Sequence, residues 1–94
     1  MQAPDNTDTW IGLSHEPLPV EIASQWVLEP SCGASVTFNG VARDHSTGRD
    51  NVTVLEYEAY EQQVAPRLEA IADKARQQWP SIKKIVMLHR IGKV

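Results

Sequence analysis

Arg43, His45 and Arg49 sit close together in a polar stretch, residues 40–51, among glycines, hydroxyl groups and small side chains. Donors so arranged suit an anion. A guanidinium can meet a phosphate through two parallel N–H···O bonds, and charge-assisted bonds of this kind contribute about 1.5–3 kcal/mol each. The plainer alternative for Arg43 is a solvated side chain paired with Asp44 or Asp50, worth about 0–1 kcal/mol. His45 carries the ring type suited to proton transfer near neutral pH, although a single loop histidine is commonly just exposed. Arg49-Asp50 beside Gly48 is equally consistent with ordinary turn chemistry.

Other reactive side chains carry weaker signals. His89-Arg90 follows an apolar run at its outgoing end, where an active-site group or a hydrogen-bonded core histidine with a surface arginine fits equally well. His15 has no evident sequence partner. Cys32 lies beside Gly33 without a second cysteine or a histidine at ligand spacing, so neither a metal site nor a thiol nucleophile is supported. Trp10, Trp26 and Trp79 belong to separate elements and read as core or interface anchors rather than a stacking platform. There is no Walker-type glycine loop and no nucleophile elbow.

The elements that must position the loop are legible from periodicity. Ala34, Val36 and Phe38 alternate with Ser35, Thr37 and Asn39, the period-two pattern of a half-buried strand, expected over 34–42. That strand delivers Arg43 at the point where the chain leaves the sheet. Gly40 marks a bulge, and pairing resumes at Val52, Val54, Leu55, Tyr57 and Ala59. A loop of about nine residues is longer than a tight hairpin uses, and long loops on rigid hairpins commonly carry binding residues. Upstream, residues 10–14 form a short strand, and Pro19 suits the first turn of an amphipathic helix that ends near Glu29-Pro30. Downstream, Val64, Leu68, Ile71, Ala75 and Trp79 recur at helical steps, with Arg67, Asp73, Lys74, Arg76 and Gln77 toward water. Pro66 fits the first turn, so this helix is expected to begin near Ala65 and to end at Pro80. Ile85-Val86-Met87-Leu88 is an unbroken apolar run of strand length, of the kind found where both sheet faces are covered.

The resulting order is β-α-β-β-α-β, an α+β protein with two helices on a mostly antiparallel sheet. Residues 1–9 read as a disordered lead-in and residues 10–94 as one domain. The net charge of −3 argues against generic nucleic-acid binding, which needs excess Lys and Arg. No apolar run approaches the ~20 residues of a membrane span, and the polar, acidic start is no secretory signal. With one cysteine, the expected compartment is the cytoplasm. Apolar Ile91 and Val94 at the chain end suggest that more sheet follows or that a partner covers this side.

Four blocks also carry a family resemblance. They are Val36-Thr37-Phe38-Asn39-Gly40-Val41-Ala42-Arg43-Asp44-His45, Leu55-Glu56-Tyr57-Glu58-Ala59-Tyr60, Ala75-Arg76 with Trp79-Pro80, and His89-Arg90-Ile91-Gly92. In this order and spacing, from about Trp10 to Val94, they resemble the large, catalytic subunit of molybdopterin synthase. The resemblance implies an α/β hammerhead-type fold and a sulfur-transfer reaction that converts cyclic pyranopterin monophosphate into the molybdopterin dithiolene. It implies that the sulfur arrives as a thiocarboxylate on the C-terminal glycine of a small β-grasp partner subunit, that large subunits pair as a homodimer, and that no metal or organic cofactor takes part.

Carried over by position, Val41, Ala42 and Arg43 match the segment lining the substrate pocket, with Arg43 on the anionic pterin phosphate region. His45 and Arg49 stay at the pocket rim, and His89-Arg90 matches a structural block. The family pattern continues beyond the His-Arg-Ile-Gly block with catalytic lysines, a second His-Arg pair and much of the dimer surface. Lys74, Lys83, Lys84 and Lys93 match none of those lysines. Two readings therefore stand: part of the enzyme, or a truncated, non-catalytic homologue acting as a partner- or pterin-binding module.

Overall fold

The computed structural model describes residues 1–41, 56–57 and 61–93. In chain order the elements are β1 (Thr9–Ser14), α1 (Val20–Trp26), β2 (Glu56–Tyr57), α2 (Glu61–Gln78), β3 (Ile85–Arg90) and β4 (Gly92–Lys93). The fold is mixed α and β, with two helices, as the sequence indicates.

The sheet departs from expectation. Its main ladder is parallel: β1 pairs with β3 in register from Thr9↔Ile85 to Ser14↔Arg90. The expected mostly antiparallel arrangement survives among the described residues only in the short β2–β4 pair, Glu56↔Lys93 and Tyr57↔Gly92. Parallel strands need a long crossover, and here the crossover contains both helices. Strands covered on both faces read as continuous apolar runs. Ile85-Val86-Met87-Leu88 and Trp10-Ile11 carried that signal, but it speaks of burial and not of direction.

Alternation along the pair sorts its two faces. Trp10, Val86 and Leu88 share one face, and Thr9 and Ile11 share the other. α1 covers the first face, where Trp26 meets Trp10 edge-on with ring centroids 5.7 Å apart. α2 covers the second, where its Arg76 reaches Thr9. The chain is thus layered helix, two strands, helix. Trp10, Ala72 and Ile91 are the buried apolar residues among those described.

The helices also shift from their expected bounds. Pro19 sits at the N-cap of α1, and its carbonyl accepts the first helical bond from Ala23 N–H at 2.9 Å. α1 closes at Trp26, before Glu29-Pro30. α2 begins at Glu61, a turn ahead of Ala65, and carries Pro66 within it. Proline forfeits one i→i−4 bond, which the rest of an 18-residue helix tolerates. Its inward side is rotated as well. Ala72 is buried, whereas Ile71 and Trp79 are exposed. A small side chain lets the helix backbone approach β1, and that displaces the larger residues to the flank.

The strand expected over 34–42 is absent from the described part. Residues 34–41 form no regular element and are exposed, with Val36 at 90% and Phe38 at 93%. Alternation fixes which side chains share a face, but a strand also needs a partner ladder, and among the described residues none pairs with this segment. The β-α-β-β-α-β order is corrected accordingly: the described elements run β-α-β-α-β-β.

Candidate functional site

The residues predicted to hold an anion fall at the edge of the description. Val41 is 78% exposed at the end of the extended segment. Ala42, Arg43, His45 and Arg49 lie outside the described residues. What the structure supplies is the approach to them.

That approach forms one wall of a cleft. Val36 and Phe38, themselves almost wholly exposed, stand with Thr37 and Asn39 opposite Ala23 and Val27 of α1 and Val86 and Leu88 of β3, around an open cleft of about 300 Å³. The walls are largely apolar where α1 lays Ala23 and Val27 over the sheet, with Ser24, Thr37, Asn39 and Lys84 among them, yet no residue of α1 is fully buried. The cleft therefore opens between a loosely seated helix and the strand beneath it.

Lys84 stands at one end of this cleft. Its ammonium donates to the Trp26 carbonyl oxygen at 3.3 Å and lies 4.9 Å from the Trp26 ring centroid. A cation over an aromatic face is held by the ring quadrupole, so the charge is fixed where β3 begins. Lys84 lies just before β3, and the sequence reading gave it no role. The signal it left unused is parity, because Lys84, Val86, Leu88 and Arg90 continue one face of β3.

At the other end of that row, β1 and β3 finish side by side. Ser14 is in register with Arg90, and Ser14 O accepts from Ile91 N–H at 2.8 Å. His89 Nδ1 lies 2.7 Å from the Arg90 carbonyl oxygen, so that nitrogen carries the proton, because a carbonyl only accepts. Gly92 has φ +84, and a Cβ there would meet His15 Nδ1 at 2.8 Å. Glycine is needed at this position both for its backbone and for the ring beside it. His15, which the sequence left without context, is thereby set against the turn between β3 and β4.

Cys32 is a free, half-buried thiol away from these groups. Among the described residues no group of three His, Cys, Asp or Glu could hold a metal ion, and no helix is long and apolar enough to cross a membrane. The described side chains thus offer apolar walls and fixed cations.

Comparison with known proteins extends this. The sequence model of the family described as MoaE protein matches residues 13–94. The molybdopterin synthase catalytic subunit of Drosophila virilis is 39% identical over 82 residues, covering 87% of this chain and 24% of that protein. The protein of the same name from Taeniopygia guttata is 39% identical over 90 residues, covering 96% of this chain and 57% of that one. Molybdopterin synthase catalytic subunit 1 of Aedes aegypti is 38% identical over 85 residues, covering 90% of this chain and 54% of its own length. The chain therefore spans between about a quarter and somewhat over half of these relatives. No solved structure matches it.

Proposed function

Because the chain belongs to the family described as MoaE protein, we propose that it serves as part of a molybdopterin synthase catalytic subunit. In this reading it takes part in molybdenum cofactor biosynthesis, where sulfur passes from a small subunit's C-terminal thiocarboxylate to cyclic pyranopterin monophosphate, forming the dithiolene. The observation that carries the proposal is the match across residues 13–94 together with relatives of that name at close to 40% identity.

Residues 10–94 are proposed as the part of the subunit that holds substrate, behind a lead-in of residues 1–9. Arg43 grips the phosphate region, and Val41 and Ala42 line the pocket beside it. The segment 34–41 supports this, because its residues 36–39 line the cleft and it ends at exposed Val41, two positions before Arg43 in the sequence. In the complete assembly the segment is taken to join a hammerhead-type sheet. The partners in this reading are a small β-grasp sulfur carrier and a second large subunit, in the cytoplasm. No metal or organic cofactor enters the proposed transfer. Lys74, Lys83, Lys84 and Lys93 are not assigned a catalytic part, and the reacting lysines are assigned to the portion of the subunit that the relatives carry beyond this match. The alternative of a non-catalytic binding module has no observation in its favour.

The test is reconstitution of the subunit, encoded by the full reading frame, with thiocarboxylated small subunit and precursor. Arg43→Ala is expected to lower turnover by tenfold or more, as the loss of one bidentate charged contact implies at about 1.4 kcal/mol per factor of ten. Unchanged turnover in that variant would remove Arg43 from the site.

A further inference from the structure

The row Lys84, Val86, Leu88, Arg90 ends in an N–H without an acceptor among the described residues. Arg90 is half-buried, and its Nε is shut away from solvent with no hydrogen-bond partner among the described residues. A buried polar group without a partner is rare and calls for a specific cause, an unseen ion among them. A guanidinium is never relieved by losing its proton. That N–H calls for an acceptor, and an oxyanion is one that would also meet the charge.

The location narrows what that is. In open sheets with parallel strands, ligands gather beyond the carboxyl ends of the strands, and Arg90 closes β3 directly opposite the last residue of β1, Ser14. The fork of a guanidinium matches the two oxygens of a carboxylate or phosphate in a plane. The neighbouring backbone is already committed, since Ile91 N–H goes to Ser14 O and Glu16 N–H to Ser14 Oγ. Those two N–H groups are taken, whereas Arg90 Nε–H is without an acceptor among the described residues. Alternation directs it to the same face as Val86 and Leu88, which line the cleft.

We infer that Arg90 anchors an oxyanion-binding site at the carboxyl end of the β1–β3 pair, a site taking a carboxylate or a phosphate monoester. It is separate from the pterin reading and does not depend on Arg43.

The test follows the Arg90 Nε–H resonance of the unsubstituted chain by ¹⁵N NMR, with Arg90→Lys identifying the signal. Inorganic phosphate and acetate are titrated separately against sodium chloride at matched ionic strength. The site predicts a saturable shift of that resonance with an oxyanion and none with chloride. Saturation by phosphate alone assigns the site to phosphate monoesters, and saturation by acetate assigns it to carboxylates. By isothermal titration calorimetry, Arg90→Lys is expected to weaken binding of the same oxyanion about tenfold relative to the unsubstituted chain, because an ammonium is a point charge and cannot reproduce the fork. A resonance that stays fixed, or that follows ionic strength alone, overturns the inference. So does loss of the saturable shift in Arg43→Ala, which would place the anion on the loop instead.

Discussion

The two faces of the β1–β3 pair are covered by helices in opposite ways. On one face α2 is tied down. Its Arg76 donates to Asp8 O at 2.9 Å, to Lys83 O at 3.0 Å and to Thr9 Oγ1, fastening the entries of both strands to the helix end. Buried Ala72 lets that helix sit close. On the other face α1 touches the sheet through Trp26, and an apolar cleft remains between them. Directional bonds at the rim and a small residue at the centre give a closed layer. A bulky aromatic at one end props the other open. The open face is the one that residues 36–39 share in lining, so the looser packing leaves room there for a ligand.

Three substitutions, measured by urea unfolding of the chain, bear on that contrast. Trp10→Ala should cost the most, about 3–5 kcal/mol, as expected for a large buried aromatic; Trp10 is 4% exposed and is the contact point for α1. A loss below about 1 kcal/mol would mean that α1 gains little from the sheet even at its one firm contact. Arg76→Ala comes next, at about 1–3 kcal/mol, since it removes charged hydrogen bonds that are only partly shielded from water. Lys84→Met should cost least, about 0.5–1 kcal/mol, the range for a cation on an aromatic face near the surface. If Lys84→Met proved more damaging than Arg76→Ala, the tied and open faces would have been assigned the wrong way round.

Arg76 also shows where reading the sequence falls short. Helical periodicity sends it to water with Asp73 and Gln77, yet it turns back over the helix end to meet carbonyls some seventy residues away in sequence terms for Asp8 and seven for Lys83. Periodicity reports the direction of Cβ, whereas a long side chain with a forked donor can reach across an element's edge. The α2 stripe failed for a related reason. Ile71 and Trp79 satisfied the spacing, but close approach selected Ala72. The α1 segment, the β1 and β3 strands and α2 from about Ala65 onward were legible because their apolar spacing is regular over several turns or residues, whereas the first turn of α2 was not. The parallel direction of the β1–β3 ladder was not legible either, because strand direction depends on what pairs with what. Of the site, Val41 is found exposed at the end of the extended segment, and Ala42 and Arg43 fall outside the described residues. Lys84 and Arg90 gained a shared context only once β3 had been seen to run from Ile85 to Arg90 on one continuous face.

From its residues alone, this protein declared two helices, two apolar strands and the motif blocks that mark its family, because local periodicity and short-range spacing are properties of the chain itself. Tertiary structure decided that β1 and β3 run parallel, that the helices occupy opposite faces, and that Arg90 ends beside Ser14 with a buried nitrogen unanswered. Those outcomes depend on which distant segments meet, and the free energy of that choice belongs to contacts rather than to any stretch of sequence.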